Sequence, residues 1–451
     1  MIKIIDSKFP PLLQLHESQQ EEGEYVCLSH CWGNNTFIVT TTQSIQAHRA
    51  DIPWLRLPKT FQDAVEITMR LGFRYLWIDS LCILQDCIKD WEEESAKMCQ
   101  VFGGATLTLF ATKAAHGNDG LFDTPDKQDP PLQMLGVDDV TKKFYSVYAR
   151  RTTGMRHVSD TLPHAELKKK FPLLLRGWVY QERLMSRRIL HFGQGEMTWE
   201  CDNVSICECS GQHAHHRKPT LDRSWHSIVI GYSQLNLTRM SDRLVAISGL
   251  ATQMKTVDSG RYLAGLWEAS LMSDLTWFTT KDSSESLCNV PSWSWASVSS
   301  AVTFFAHGYT DTGKSMAKLI SINYESAAQE GQNIFDASPT SISLHARVEE
   351  TYLDANSISV KFLKRFPENG LGRISVAFHP DRDMSSFAGI VFCMRIYEIR
   401  TGRSSQCGFL VLDKVESSGP VYRRIGFFTI NVVSQIEPWV YPLRSQPITI
   451  V

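Results

Sequence analysis

Along the first hundred residues, apolar and polar positions alternate between two periods. Tyr25 to Ser29 is a short, mostly apolar run that ends at His30-Cys31-Trp32-Gly33-Asn34-Asn35, a stretch with turn chemistry, which predicts a buried strand followed by a loop. Pro58 and Thr60 then precede Phe61, Ala64, Val65, Thr68 and Met69, apolar at helical spacing. Asp63 stands three residues after Thr60 as in a capping box, and Gly72 marks the stop. Tyr75 to Ile78 reads as a second strand ending at Asp79. Trp91, Ser95, Met98 and Phe102 line one face of a second helix that closes at Gly103-Gly104, and Ala105 to Ala111 alternates into a third strand. Strand, helix, strand, helix, strand predicts right-handed crossovers in an open, mostly parallel sheet, where ligands bind outside the carboxyl ends of the strands. His30, Asp79 and Thr112 fall at those ends. Sequence places them on one edge and leaves the strand order open.

Further along, Asp123 to Asp139 is rich in Pro, Asp and Gln, the pattern of an exposed excursion. Arg176 to Met185 predicts a helix, and Arg188 to Phe192 with Met197 to Cys201 a hairpin turned at Gly193-Gln194-Gly195, closing a first domain over 1–210. A helical, tryptophan-rich connecting segment is expected over 211–300, with helical pattern from Trp225 and again at Tyr262 to Met272. Beyond it, 301–451 offers repeated short strand candidates: Leu319 to Tyr324, Ser341 to Val348, Ile374 to Phe378, Ile390 to Ile396, Phe409 to Leu412 and Val421 to Ile430. They predict a mainly antiparallel β domain. No repeat of 20 to 50 residues supports a solenoid or propeller.

Composition narrows the function classes. A chain of 451 residues exceeds what one core usually serves, and 43% hydrophobic with 21% charged residues is ordinary globular usage. A formal net charge of -2 supplies no basic field, so nucleic acid is not an expected partner, and Lys168-Lys169-Lys170 reads as a solvated face. Eleven irregularly spaced cysteines suit reduced thiols, and Met1 to Phe9 lacks the apolar stretch of a signal peptide. No window approaches a membrane span, so the expectation is a cytoplasmic protein without a membrane partner. Neither Gly103-Gly104 nor Gly193-Gln194-Gly195 forms a phosphate cradle, and no cofactor is expected.

Three segments carry a resemblance: Tyr25-Val26-Cys27-Leu28-Ser29-His30-Cys31-Trp32-Gly33, Tyr75-Leu76-Trp77-Ile78-Asp79-Ser80-Leu81-Cys82-Ile83-Leu84-Gln85, and Arg176-Gly177-Trp178-Val179-Tyr180-Gln181-Glu182-Arg183-Leu184. In order and separation they resemble the blocks of the fungal heterokaryon-incompatibility (HET) domain family over roughly residues 25 to 185. Leu84 stands where the family often has Asn. Tyr232-Ser233, Asp242 to Leu250 and Pro291 to Ala296 resemble segments that follow the domain in compact members. The resemblance implies an α/β fold akin to Toll/interleukin-receptor-like and flavodoxin-like domains. It also implies proteins that trigger cell death when unlike hyphae fuse, or stand alone beside biosynthetic genes. Fold kinship alone carries no activity, and no nucleotide-binding sensor module is recognisable here.

The candidate chemistry lies in the same blocks. Cys82 reads as a nucleophile if His30 reaches it as base, and equally as a small buried hydrophobe. His30 is a general base or a hydrogen-bonded strand-end residue; Asp79 orients it, binds a ligand hydroxyl, or caps its own turn. Glu182 is an acid or an ion-pair partner of Arg183 or Arg187. Ser29, Trp32, Gln85, Arg176, Trp178 and Gln181 are the candidate substrate contacts, the two tryptophans being packing residues or an aromatic wall. Cys201, Cys207 and Cys209 with His213, His215 and His216 invite a zinc reading, but Cys207-x-Cys209 is not the paired spacing of structural zinc, and no metal is expected. The readings carried forward are a stand-alone small-molecule enzyme of fungal secondary metabolism, favoured for want of a sensor module; an incompatibility effector with a protein partner; and a nicotinamide-cleaving glycohydrolase. The last needs a carboxylate poised at the sheet edge, where sequence alone places no Glu.

Overall fold

The computed structural model describes residues 1–6, 8–18, 21–33, 37–122, 132–138, 140–149, 170–208, 224–280, 290–308, 313–324, 339–354, 359–362, 374–375, 377–384, 387–401, 404–415, 419–432 and 445–451. The chain divides into two compact units, Met1–Thr220 and Leu221–Val451.

Among its described residues the first unit has ten strands: β1 (Ile2–Ile4), β2 (Leu13–Leu15), β3 (Val26–Ser29), β4 (Tyr75–Trp77), β5 (Leu107–Phe110), β6 (Leu132–Val137), β7 (Phe144–Ala149), β8 (Arg188–Phe192), β9 (Met197–Cys201) and β10 (Ser205–Cys207). Among the described residues these α-helices accompany them: α1 (Ile45–Ala50), α2 (Lys59–Arg70), α3 (Asp79–Cys82), α4 (Ile88–Gly104) and α5 (Gly177–Met185). Eight strands form one sheet in the order β10-β9-β8-β5-β3-β4-β1-β2, while β6 and β7 pair only with each other. The pairs β3-β4, β3-β5 and β5-β8 are parallel. The flanking pairs β1-β2, β1-β4, β8-β9 and β9-β10 are antiparallel. The expected mostly parallel sheet is thus corrected to a mixed one: short connections fold β1-β2, β8-β9 and β9-β10 back as hairpins, and the β1-β2 hairpin joins the sheet antiparallel to β4.

Central strands are covered on both faces. Val26 and Leu28 of β3 join Phe61, Ala64 and Val65 of α2 in one core, while Cys27 between them joins Met98 and Phe102 of α4 in another. For that reason β3 and β5 are buried at every position, where alternation had been expected of β5. The capping box expected at α2 does not form either. Pro58 occupies the cap position without a side-chain bond, and Thr60 and Asp63 reach across to the loop after β5, accepting from the amides of Gly120 and Leu121 at 3.2 and 2.9 Å.

In the second unit an eleven-stranded sheet carries every strand expected after residue 318, antiparallel except where Val421–Val432 meets Gln446–Ile450. The helix expected over Tyr262 to Met272 is instead a hairpin, Tyr262–Leu263 with Leu266–Trp267, followed by the short helix Leu271–Asp274. Ala264 and Gly265 turn it with φ of 46° and 96°, the positive-φ pair that a tight two-residue hairpin turn demands. A Cβ on Gly265 would sit 2.6 Å from the Trp295 indole nitrogen. The gap lets the Trp225 and Trp295 indoles donate to the Gly265 carbonyl, each at 2.8 Å. Buried Arg424 lies 3.4 Å over the Trp277 ring, donates to the Leu275 and Trp277 carbonyls, and pairs with buried Asp381 at 2.9 Å.

Removing the guanidinium strands the Asp381 carboxylate in a dry site. Arg424→Met is expected to cost about 3–5 kcal/mol in urea unfolding of this unit, and Arg424→Met with Asp381→Leu to recover most of it. A double variant no more stable than the single one would show that the pair is not the source.

Candidate functional site

The site forms where β3, β4 and α5 end or begin. Leaving β3, the chain turns through His30, Cys31, Trp32 and Gly33, and Gly33 has φ +67° with the position a Cβ would take 2.5 Å from the His116 Cβ. Only glycine both adopts this backbone and lets the loop after β3 lie on the loop after β5. Asp119 holds that second loop by accepting from the Ala115 and His116 amides.

His30 is 3% exposed, wedged edge-to-face against Phe61 at 4.8 Å and Phe37 at 6.1 Å. Its Nδ1 is 3.6 Å from Asp79 Oδ1, too long for a hydrogen bond, and neither ring nitrogen has a partner among the described residues. Burial lowers its pKa from 6.5 to about 4 against the pull of Asp79, with Arg176 adding to the fall, so the ring is neutral near pH 7.

Asp79 opens α3. One oxygen accepts from the Ser80 amide at 2.7 Å and the other from the Trp32 indole at 2.7 Å, so Asp79 bonds to the first turn of α3, whose cap position is Ile78, and fixes Trp32. The Arg176 guanidinium donates to the carbonyl of His30, 146 residues away in the chain. One turn into α5, Glu182 is 7% exposed, has no ion-pair partner among the described residues and faces Ser29, Asp79 and Arg176. Burial raises its pKa from 4.5 to about 7; the Ser29 hydroxyl and Arg176 pull it down and Asp79 pushes it up. The Ser29 hydroxyl is close enough for that effect without closing a hydrogen bond, and like Ser80 Oγ it is buried and unpartnered.

The thiols fare differently. Cys82 is half-buried between the two cores, and its sulfur accepts from the Ile78 amide at 3.5 Å. The structure does not join it to His30 by a hydrogen bond. Burial drives Cys27 well above the ordinary thiol range and Cys31 up to about 11, Arg176 opposing the latter. Gln85 braces α3, its amide donating to the Asp79 and Ile83 carbonyls at 3.2 and 3.0 Å. Trp178 packs edge-on to Trp91 at 6.3 Å, on the α4 side, and Gln181 is buried in α5. Ser29, His30, Asp79, Arg176 and Glu182 therefore converge with Trp32, while Gln85 bonds to the backbone of α3 and Trp178 lies against Trp91.

Over Trp32 lies an open cleft of about 210 Å³, walled by Phe37, Leu55, Arg56, Pro58, Gly117 and Asn118 as well. Sequence reading missed Phe37 and Arg56, which lie outside the three blocks. It also missed a buried network under β8 and β9. There His191 Nε2 meets Glu200 at 2.7 Å, Arg183 grips the same carboxylate with two bonds of 3.1 Å, and Thr112 meets His191 Nδ1 at 3.0 Å. Arg183 thus pairs with Glu200, not Glu182. Alternating polar positions in a predicted hairpin were the available signal. No group of metal-ligating side chains occurs among the described residues; Cys209, His213, His215 and His216 lie outside them. Among the described residues no helix is long and apolar enough to cross a membrane.

Residues 25–182 match a family model described as Heterokaryon incompatibility protein (HET). The matched span opens at β3 and ends on Glu182, so it contains every residue of the converging site. No curated protein and no solved structure matches the chain.

Because the folded state keeps a proton on Glu182 that the unfolded chain releases between pH 4.5 and about 7, this group makes stability fall as pH rises through that window, by about 3 kcal/mol in all. His30 acts oppositely, weakening the fold as pH falls from 6.5 toward 4. Urea titrations from pH 5 to 8 are expected to show Glu182→Gln gaining on the parent as pH rises. Parallel curves would place Glu182 in water.

Proposed function

We propose, from the premise that residues 25–182 of this chain are a heterokaryon-incompatibility domain, that the domain is an enzyme acting on a small molecule at the carboxyl ends of β3 and β4. The observation that carries this is Glu182, a buried carboxyl pushed up to about 7 beside Ser29, Asp79 and Arg176, the last two of which also face the neutral imidazole of His30. A group that titrates at the operating pH gives up and takes back a proton with least penalty, and two carboxyls in unlike surroundings are suited to unlike roles. Ser29 Oγ, both ring nitrogens of His30 and Ser80 Oγ are buried without hydrogen-bond partners among the described residues in the same place, the uncompensated polarity that marks functional sites more often than plain cores. Glu182 is the proton-transferring residue in this reading, Asp79 and Arg176 hold charge and position, and Cys82 is structural.

In the central order β4-β3-β5-β8 all neighbours are parallel, and the connection from β3 runs to one side while that from β5 runs to the other, the switch in winding that doubly wound sheets show. It supports the kinship with Toll/interleukin-receptor-like and flavodoxin-like domains. A Glu at the sheet edge is what a nicotinamide-cleaving glycohydrolase requires, and this observation favours that chemistry within the enzyme reading. The substrate is a small molecule rather than nucleic acid, met in the cytoplasm of a fungal cell, whether in secondary metabolism or in the death response. The effector reading draws on the family match, and such an enzyme supplies it with a mechanism.

The test is turnover of a panel of nucleotides and other small metabolites, nicotinamide dinucleotides included, followed by mass spectrometry. Glu182→Gln is expected to lose at least about 100-fold in kcat, with Cys82→Ala within about threefold of the parent. A fully active Glu182→Gln sinks the proposal. Growth arrest on expression in a filamentous fungus that survives Glu182→Gln would favour an effector working through a protein partner.

A further inference from the structure

The cleft over Trp32 has a composition that selects a ligand. Its floor is aromatic, with the Trp32 and Phe37 rings edge-to-face at 5.4 Å and Leu57 beside them. Arg56 stands on its wall with no acidic partner within ion-pair distance among the described residues. Nearby charges are committed elsewhere: Lys59 is paired with Asp63 at 2.5 Å, and Asp119 is turned onto the Ala115 and His116 amides. At about 210 Å³ the cleft falls short of the roughly 300–1,000 Å³ of pockets for drug-sized molecules, so it suits a single ring.

We propose that this cleft binds a planar ring bearing a carboxylate, the ring on Trp32 and Phe37 and the carboxylate on the Arg56 guanidinium. The planar fork of an arginine matches the two oxygens of a carboxylate. A phosphate would ask for further donors, and the amides opening α2 are already engaged, Thr60 with the Gly117 carbonyl and Phe61 and Gln62 with that of Pro58. The cleft also touches the chemistry below it, because the Trp32 indole that floors it donates to Asp79 and the Phe37 ring abuts His30. The inference deepens the small-molecule reading and rests on it for its purpose, although binding is measurable without turnover.

The experiment is titration of the full chain with benzoate and with benzamide, its neutral counterpart of the same shape, followed by ligand-observed NMR. Benzoate is expected to bind with a Kd on the order of millimolar, as suits so small a ligand, and benzamide at least about tenfold more weakly. Arg56→Gln should weaken benzoate by about tenfold and leave benzamide unchanged, with Arg56→Lys recovering part of the loss. Arg56 is exposed, so an unchanged thermal midpoint confirms that the variant is folded. Equal binding of acid and amide, or an Arg56→Gln variant that binds benzoate like the parent, overturns the proposal. Benzoate binding retained in Glu182→Gln with turnover lost supports both readings; retained binding with undiminished turnover overturns only the catalytic assignment.

Discussion

Burial of β3 on both faces is the constraint from which the site follows. With α2 packed on one side and α4 on the other, the last residues of the strand cannot reach water, so Ser29 and His30 carry polar atoms into a dry environment. A neutral imidazole is the cheapest state for His30 there, and the ring is accordingly held by aromatic edges rather than by an ion pair. The same environment receives Glu182 from α5. Its ionised form is opposed by burial and by Asp79, and supported by Arg176 and Ser29, and the balance leaves it near neutrality.

Loop geometry keeps that arrangement in register. Gly33 allows the turn after β3 to lie against His116, and Thr60 and Asp63 of α2 tie down the following residues through Gly120 and Leu121. Polar side chains at the start of α2 thus serve the neighbouring loop instead of their own helix end. The arrangement also shapes the cleft, whose walls come from the loop after β3, the entry to α2 and the loop after β5.

In the second unit the equivalent organising device is aromatic. A hairpin turn at Ala264-Gly265 presents one carbonyl to two indoles, and Arg424 joins Trp277 and Asp381 in a fully buried stack. Apolar residues at helical spacing over Tyr262 to Met272 had suggested a helix there. Indole N–H groups seeking an acceptor in a dry core, together with a glycine free to take positive φ, favoured the turn.

Sequence by itself determined the elements whose periodicity is strong: β3, α2, β4, α4 and β5 in alternation, the hairpin of β8 and β9, and the strands after residue 318. It also placed His30 and Asp79 at the carboxyl ends of two strands, since turn chemistry follows each apolar run, while the strand order that makes β3 and β4 neighbours came from the fold. Only the tertiary structure decided that the sheet is mixed, that Cys82 is bonded to backbone while Glu182 sits beside Asp79, and that Phe37 and Arg56 frame a cleft. The physical reason is that periodicity reports which face of its own element a residue occupies, whereas proton affinity and partnership depend on burial by elements remote in the chain. Arg176 meets the carbonyl of His30 across 146 residues, a contact that no local pattern encodes.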